Sequence, residues 1–236
     1  RDNHEVENRF AEACEATGLT VSKERILAMQ GYAKREVFGI LWAEQLTTFP
    51  KDELEQQVDF SYRHFCEILE NHYQNNVILP TEKCLETFEL LRQNEVKIAL
   101  TTGFYRKVAN VILDKLGWLD GLDSDFVNRG STSPIDVSLT PSEVEKGRPH
   151  PDMIHRAMEL LGIENTENVV KVGDTPVDLE EGYNAGCWKS LAVTNGTHSY
   201  ADLKKYKNDG LLHSLEDLPR FLNLDKQKEK GKYFTF

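Results

Sequence analysis

Apolar residues recur at helical spacing through the first third of the chain. Val6, Phe10 and Cys14 stand four apart, and Gly18 follows where a helix end favours glycine, which predicts a helix over 4–17. Ser22 is placed to cap a second helix holding Ile26 and Leu27. Gly31 interrupts the pattern, and Val37, Phe38, Leu41 and Trp42 restore it. From Pro50 onward, Leu54, Val58, Tyr62, Phe65, Leu69 and His72 form one stripe of a long helix that closes at Asn75, Asn76 and Pro80. No strand-like run intervenes, so residues 4–78 read as a small helical bundle packing on itself.

The pattern changes beyond Pro80, in a part that reads as a domain over 79–224. Thr81 is placed to cap a helix carrying Leu85, Phe88 and Leu91, and Val96–Thr102 reads as a buried strand. A helix is expected over 105–116 (Val108, Val111, Ile112, Leu116), stopped at Gly117, and Phe126-Val127 as a short strand. A polar loop is expected from Arg129 to Lys146, then a helix over 151–161, a strand over 168–172, a helix to Ala185 and a strand over 190–193. Ser214–Asp217 has the form of a capping box that opens a last helix. Alternating strands and helices at these intervals predict an α/β fold: a doubly wound parallel sheet with an inserted α-helical cap. The lysine-rich segment 225–236 is expected to be a solvated tail.

Composition narrows the function classes. Hydrophobic residues at 39% and charged residues at 28% describe a soluble globular chain. A formal net charge of −11 argues against nucleic acid and against anionic membrane surfaces as partners. Cys14, Cys66, Cys84 and Cys187 are scattered, which fits a reducing, cytoplasmic setting. No apolar run approaches a membrane span, and the histidines show no zinc spacing.

The candidate chemistry is concentrated at the ends of the predicted strands, where ligands of open α/β sheets bind. Asp174 follows an apolar run and Gly173, and Asp178 comes four residues later. As structural residues they would be a helix cap and a first-turn acid; as functional ones they face one cleft. Thr102-Gly103 ends another strand and offers a hydroxyl and a free N–H to a phosphate, though taken by itself the pair is better explained as a plain turn or cap. Arg148, between Gly147 and Pro149-His150-Pro151, is a guanidinium on a stiff loop, suited to phosphate or to a carboxylate. Lys34, three residues beyond Gly31, is by pattern alone a surface lysine.

In this order and spacing the segments resemble the haloacid dehalogenase superfamily of phosphohydrolases, in its phosphonatase-like branch. Leu100–Gly103, Lys146–Pro151 and Val172–Asp178 resemble that family's second, third and fourth motifs, and residues 4–78 its cap. The resemblance implies a Mg²⁺-dependent hydrolase of a small phosphorylated or phosphonate metabolite, acting through an aspartyl-phosphate. It implies that Thr102 binds the phosphoryl oxygens, Arg148 offsets charge, and Asp174 with Asp178 holds Mg²⁺. Gly31 and Lys34 resemble the cap signature in which phosphonoacetaldehyde hydrolases form a Schiff base, with Gly31, Lys34 and Gly103 against the substrate. A homodimer is compatible with this reading.

Two departures accompany the resemblance. Val37 and Phe104 stand where a histidine and a tyrosine are expected, so hydrolysis of a phosphate monoester, with Lys34 as a specificity residue, is carried beside carbon–phosphorus cleavage. The first motif, Asp-x-x-Gly-Thr, is absent from the 236 residues, and Asp2 is not on a strand. The strand bearing that motif would lie beside 168–172. Without it, buried backbone groups would each cost on the order of 1–3 kcal/mol, in a domain stable by about 5–15 kcal/mol. A truncated chain, or the strand-like tail Lys232–Phe236 filling the slot, would answer this. The rival function is a catalytically dead binding protein of the same fold; a receiver-like signalling domain would not need the helical insert.

Overall fold

The computed structural model describes residues 5–46, 50–130 and 132–224, with the side chain of Lys51 left aside. Asp2 and the tail over 225–236, including the strand expected at Lys232–Phe236, lie outside the described residues.

Four helices come first: α1 (Glu5–Thr17), α2 (Lys23–Ala28), α3 (Lys34–Gln45) and α4 (Lys51–Asn75). Ser22 Oγ accepts from Arg25 N and starts α2, as its position predicts. Phe10, Phe38 and Phe65 form the centre of this group. The first two rings stack at 4.5 Å, and Phe65 meets them edge-on at 5.6 and 6.1 Å. The polar groups beside them are paired: Trp42 Nε1 donates to Ser61 Oγ (2.9 Å), which donates to Thr17 Oγ1 (2.9 Å).

The bundle does not pack only on itself. Val108 of α6 (Arg106–Lys115) belongs to the same apolar cluster, and Val111 and Ile112 pack against it. These positions repeat at i, i+3 and i+4, one face of a helix, so the α/β part completes the core of the cap. Polar contacts hold the same seam. Tyr105 Oη donates to Glu70 (2.8 Å), and Lys115 Nζ donates to the carbonyls of Gln74 (2.6 Å) and Asn76 (2.8 Å).

The remainder runs α5 (Cys84–Gln93), β1 (Ala99–Thr101), α6, β2 (Val137–Leu139), α7 (Asp152–Leu161), β3 (Val170–Gly173), α8 (Pro176–Asn184), β4 (Lys189–Val193), α9 (Tyr200–Leu203), β5 (Gly210–Leu212) and α10 (Leu218–Phe221). Among the described residues these strands pair with one another in parallel. Ala99 lies opposite Val137 in one ladder; Val170 lies opposite Lys189, and Leu191 opposite Gly210, in the other. Among the described residues the two ladders share no backbone pairing. Side chains join them: Lys171 Nζ of β3 donates to Thr101 Oγ1 of β1 (2.9 Å), and one apolar cluster containing Ile98, Ile135, Leu191 and Leu212 spans both.

Several local expectations need correction. Thr81 does not cap α5, because Lys83 takes a left-handed conformation (φ 61°) in a turn that delays the helix to Cys84. The strand expected over 96–102 is reduced to Ala99–Thr101, since Ile98 N donates to the Asp136 carboxylate (2.8 Å) instead of a neighbouring strand. Phe126-Val127 is no strand: Phe126 sits at φ 59°, and Val127 makes a single antiparallel bridge to Val137. The polar loop expected over Arg129–Lys146 instead contains β2, whose three residues are all buried. Beyond Ser214 the chain first makes a short 3₁₀ turn (Leu215–Asp217) and then α10, and α9 and β5 were not foreseen. Among the described residues no helix is long and apolar enough to cross a membrane.

The approach of α8 to the sheet depends on a glycine. A Cβ at Gly182 would lie 2.4 Å from Ser190 Oγ and 2.9 Å from Lys171 Cβ. Gly182→Ala is therefore expected to destabilise the protein by about 1–3 kcal/mol through overpacking, read as a lowered urea midpoint with an unchanged slope.

Candidate active site

The carboxyl ends of β1 and β3 and the turn after α2 meet at one place. β1 delivers Thr102 and Gly103. Thr102 N donates to Leu139 O (3.2 Å) and its Oγ1 accepts from Phe104 N (3.1 Å), so the hydroxyl is held in the turn that opens toward α6. The cap loop comes close enough for glycine to be required twice. A Cβ on Gly31, itself at φ +86°, would fall 2.7 Å from Thr175 Oγ1; one on Gly103 would fall 3.1 Å from Gly31 O. A cavity of ≈ 100 Å³ remains in this seam, lined among others by Gly31, Lys34, Thr102, Gly103, Arg148 and Thr175. Five residues singled out by sequence thus share one cavity, drawn from the cap, β1 and the Arg148 loop.

Beside the cavity lies a buried charge cluster. Arg148 Nη1 donates to Asp178 Oδ1, and Lys171 Nζ stands 3.1 Å from the same oxygen and 2.6 Å from Glu181 Oε2. Asp178 Oδ2 accepts from Thr175 Oγ1 (2.7 Å), Thr175 N (3.2 Å) and Asp174 N (3.3 Å). Gly173 makes room for this carboxylate, since a Cβ there would overlap Asp178 Cγ at 2.1 Å. Burial alone would raise the Asp178 pKa, but Arg148, Lys171 and the Thr175 hydroxyl outweigh it and hold the carboxyl well below its usual range. Burial likewise opposes the charges of Arg148 and Lys171, yet Asp178 and Glu181 raise the pKa of both. Two cations face two anions, and the cluster is balanced.

Lys34 is less compensated: Glu7 offsets only part of the cost of its charge. Its residue is 9% exposed, and among the described residues its Nζ donates two long hydrogen bonds, to the carbonyls of Met29 (3.4 Å) and Tyr32 (3.3 Å). Burial first, and the neighbouring Arg148 second, push its pKa down from the usual lysine value to about 7. A lysine with that pKa is partly a neutral amine at neutral pH and therefore a nucleophile.

Asp174 lies one step from the cluster. Its Oδ2 accepts from Thr197 N (2.7 Å), and among the described residues Oδ1 makes no hydrogen bond. Asp174 is not among the residues lining the Lys34 cavity. Among the described residues no group of three His, Cys, Asp or Glu side chains gathers in a metal-holding cluster. The carboxylate oxygen that Asp174 leaves unbonded among the described residues still suits Mg²⁺, which takes one or two carboxylates and fills its octahedron with water and ligand oxygens. Asp174 fits that role; the oxygens of Asp178 are taken by Arg148, Lys171 and Thr175.

Sequence reading missed Lys171 and Glu181. The signal for Lys171 was available: a lysine inside the apolar run Val169-Val170-Lys171-Val172 needs a buried anion. Glu181, three residues after Asp178, lies on the same helical face and is that anion.

A family model described as haloacid dehalogenase-like hydrolase matches residues 2–186. The chain is 33% identical over 199 residues to the bifunctional phosphonoacetaldehyde hydrolase/aminoethylphosphonate transaminase of Clostridioides difficile (strain 630), covering 80% of this chain and 29% of that protein. It is 30% identical over 196 residues to the phosphonoacetaldehyde hydrolase of Lysinibacillus sphaericus (strain C3-41), covering 77% of this chain and 65% of the relative. The chain thus spans less than two thirds of the length of either. A phosphonoacetaldehyde hydrolase-like protein from Oleispira antarctica has the same fold, with a TM-score of 0.71 at 18% identity over 95% of this chain and 88% of that one.

The depressed pKa of Lys34 has a stability consequence of definite sign. Below about pH 7 both folded and unfolded states hold the proton, and the folded state bears the full cost of the buried charge. As pH rises from about 7 toward the usual lysine value of 10.5, only the unfolded state keeps it, and stability rises by at most about 1.4 kcal/mol per pH unit. Lys34→Met is accordingly expected to be more stable than the parent at pH 6, with the difference shrinking by pH 9, in urea titrations of both proteins.

Proposed function

The chain belongs to the haloacid dehalogenase-like hydrolases, and from that membership we propose that it acts on a small organophosphorus metabolite bearing a carbonyl group, in the manner of its phosphonoacetaldehyde hydrolase relatives. The observation that carries this reading is Lys34: a buried amine with its pKa lowered to about 7, in the same cavity as Arg148 and Thr102.

The chemistry follows from these groups. The neutral Lys34 amine attacks the carbonyl carbon, the carbonyl oxygen leaves as water, and the resulting iminium is an electron sink beside the phosphorus-bearing carbon. The electron pair of the carbon–phosphorus bond moves toward the iminium, giving an enamine as the phosphoryl group departs. The same Arg148 that lowers the lysine pKa offers its remaining donors to the phosphoryl oxygens, and Thr102 adds a hydroxyl. Asp178 holds the guanidinium in place and is itself held by Thr175. The phosphoryl acceptor is proposed to be the aspartate that the family resemblance implies, for which the 236 residues contain no Asp-x-x-Gly-Thr motif. Mg²⁺, with Asp174 as its ligand, would supply charge neutralisation on the phosphoryl group.

A phosphate-monoester hydrolase is the second reading, favoured by Phe104, which lines the cavity where a tyrosine was expected. In that case Lys34 hydrogen-bonds the substrate without bonding to it covalently.

Reductive trapping separates the two. Incubation with phosphonoacetaldehyde and sodium borohydride is expected to add the reduced substrate fragment to Lys34, located by peptide mass spectrometry, and Lys34→Arg should abolish the adduct. Absence of an adduct at Lys34 would falsify the Schiff-base reading and leave the monoester hydrolase. Adduct formation without phosphate release would instead describe a binding protein of the same fold.

A further inference from the structure

A second cavity, ≈ 370 Å³ against ≈ 100 Å³ for the first, lies between the cap loop and the α8 side of the α/β part. Gln30 and Tyr32 line both, so the cap loop is the partition between them. At that partition Gly31 packs directly on Thr175 and Val177. The two cavities are therefore neighbours along the same seam between cap and core, on either side of Gln30 and Tyr32.

The walls of the second cavity say what would lie there. Tyr32, Tyr183 and Tyr206 supply aromatic surface, and Lys207 Nζ sits 3.8 Å from the centre of the Tyr183 ring. Gln30 and His198, each 7% exposed, supply polar groups that the chain leaves unused: among the described residues, Gln30 Nε2 and His198 Nδ1 have no hydrogen-bond partner. An amide nitrogen is a donor only, so its missing partner is an acceptor. Leaving such a group buried and unpaired is costly, and a ligand that supplies the acceptor removes the cost. Glu180 and Lys207, one of each sign, also line the cavity, which suits a neutral polar group better than a second anion.

Resting on the phosphoryl reading of Arg148 and Thr102, we propose that the preferred substrate extends beyond a two-carbon reacting end: it carries a planar, acceptor-bearing group, and that group lies among the tyrosines of the second cavity with Gln30 and His198 as its partners. The first cavity then reads the phosphorus group and accepts a two-carbon compound by that end alone, and the second adds the preference among organophosphorus compounds. Base-like or aryl rings meet the description; a bare alkyl phosphate does not.

Two non-reacting probes test this in the full chain by titration calorimetry: pyridoxine 5′-phosphate, whose ring bears oxygen and nitrogen acceptors, and ethyl phosphate, with the same headgroup and no ring. The ring-bearing ester is expected to bind at least tenfold more tightly. Gln30→Met, which keeps the length and removes the donor, and Tyr206→Ala, at a half-exposed position, should each cut that preference at least threefold. Equal binding of the two esters, or a preference that survives both substitutions, overturns the inference and leaves the phosphoryl site standing. If neither ester binds, the phosphoryl reading itself fails and the inference falls with it.

Discussion

The structure depends on the neutralisation of Asp178. This carboxylate is buried at the start of α8 and accepts from two cations, a hydroxyl and two backbone amides. Each partner comes from a different part of the chain: Arg148 from the loop before α7, Lys171 from the middle of β3, Thr175 from the turn between β3 and α8. Removing the acid would leave two buried cations with Glu181 alone, a loss of the kind that costs several kcal/mol. The cluster is thus the joint by which the Arg148 loop and β3 hold their positions. Lys171 extends the joint further, since the same ammonium reaches Thr101 on β1 and ties the two strand ladders together.

That joint has an electrostatic by-product at the cavity. Arg148 is fixed by Asp178 but also acts on Lys34, and its charge is the second cause, after burial, of the lowered lysine pKa. One guanidinium therefore does two things: it donates to Asp178 and adds to the burial that lowers the pKa of its neighbour. In a chain with a net charge of −11, two buried cations, Arg148 and Lys171, thus stand beside the cavity, each held by a carboxylate.

The parts of the fold legible in the sequence were those with strong periodicity or punctuation. The stripe on α4, the Ser22 cap and the glycine stop after α6 follow from side-chain spacing and local hydrogen bonding, which sequence displays directly. The short strands were less legible. β2 has three buried residues, one of them Ser138, so it lacks the apolar run that marks a buried strand. The shortened start of β1 is set by Asp136, a residue 38 positions from the Ile98 amide it accepts from. The site divided in the same way. Thr102, Gly103, Arg148, Asp174 and Asp178 sit in motifs; Gln30, whose interest lies in an unused amide inside a seam, has no sequence pattern to announce it.

The same contrast explains why Lys34 reads as a surface lysine by pattern and is buried in the structure. Helical spacing reports the faces of the cap alone, whereas the burial of Lys34 is produced by two surfaces meeting. Gly31 lets the cap loop lie on Thr175 and Val177, and Gly103 lets it lie on the end of β1. With those approaches made, water is excluded and Arg148 is brought near, and these are the two causes of the lowered pKa. The lowered pKa of Lys34 is therefore a property of the seam rather than of the residue.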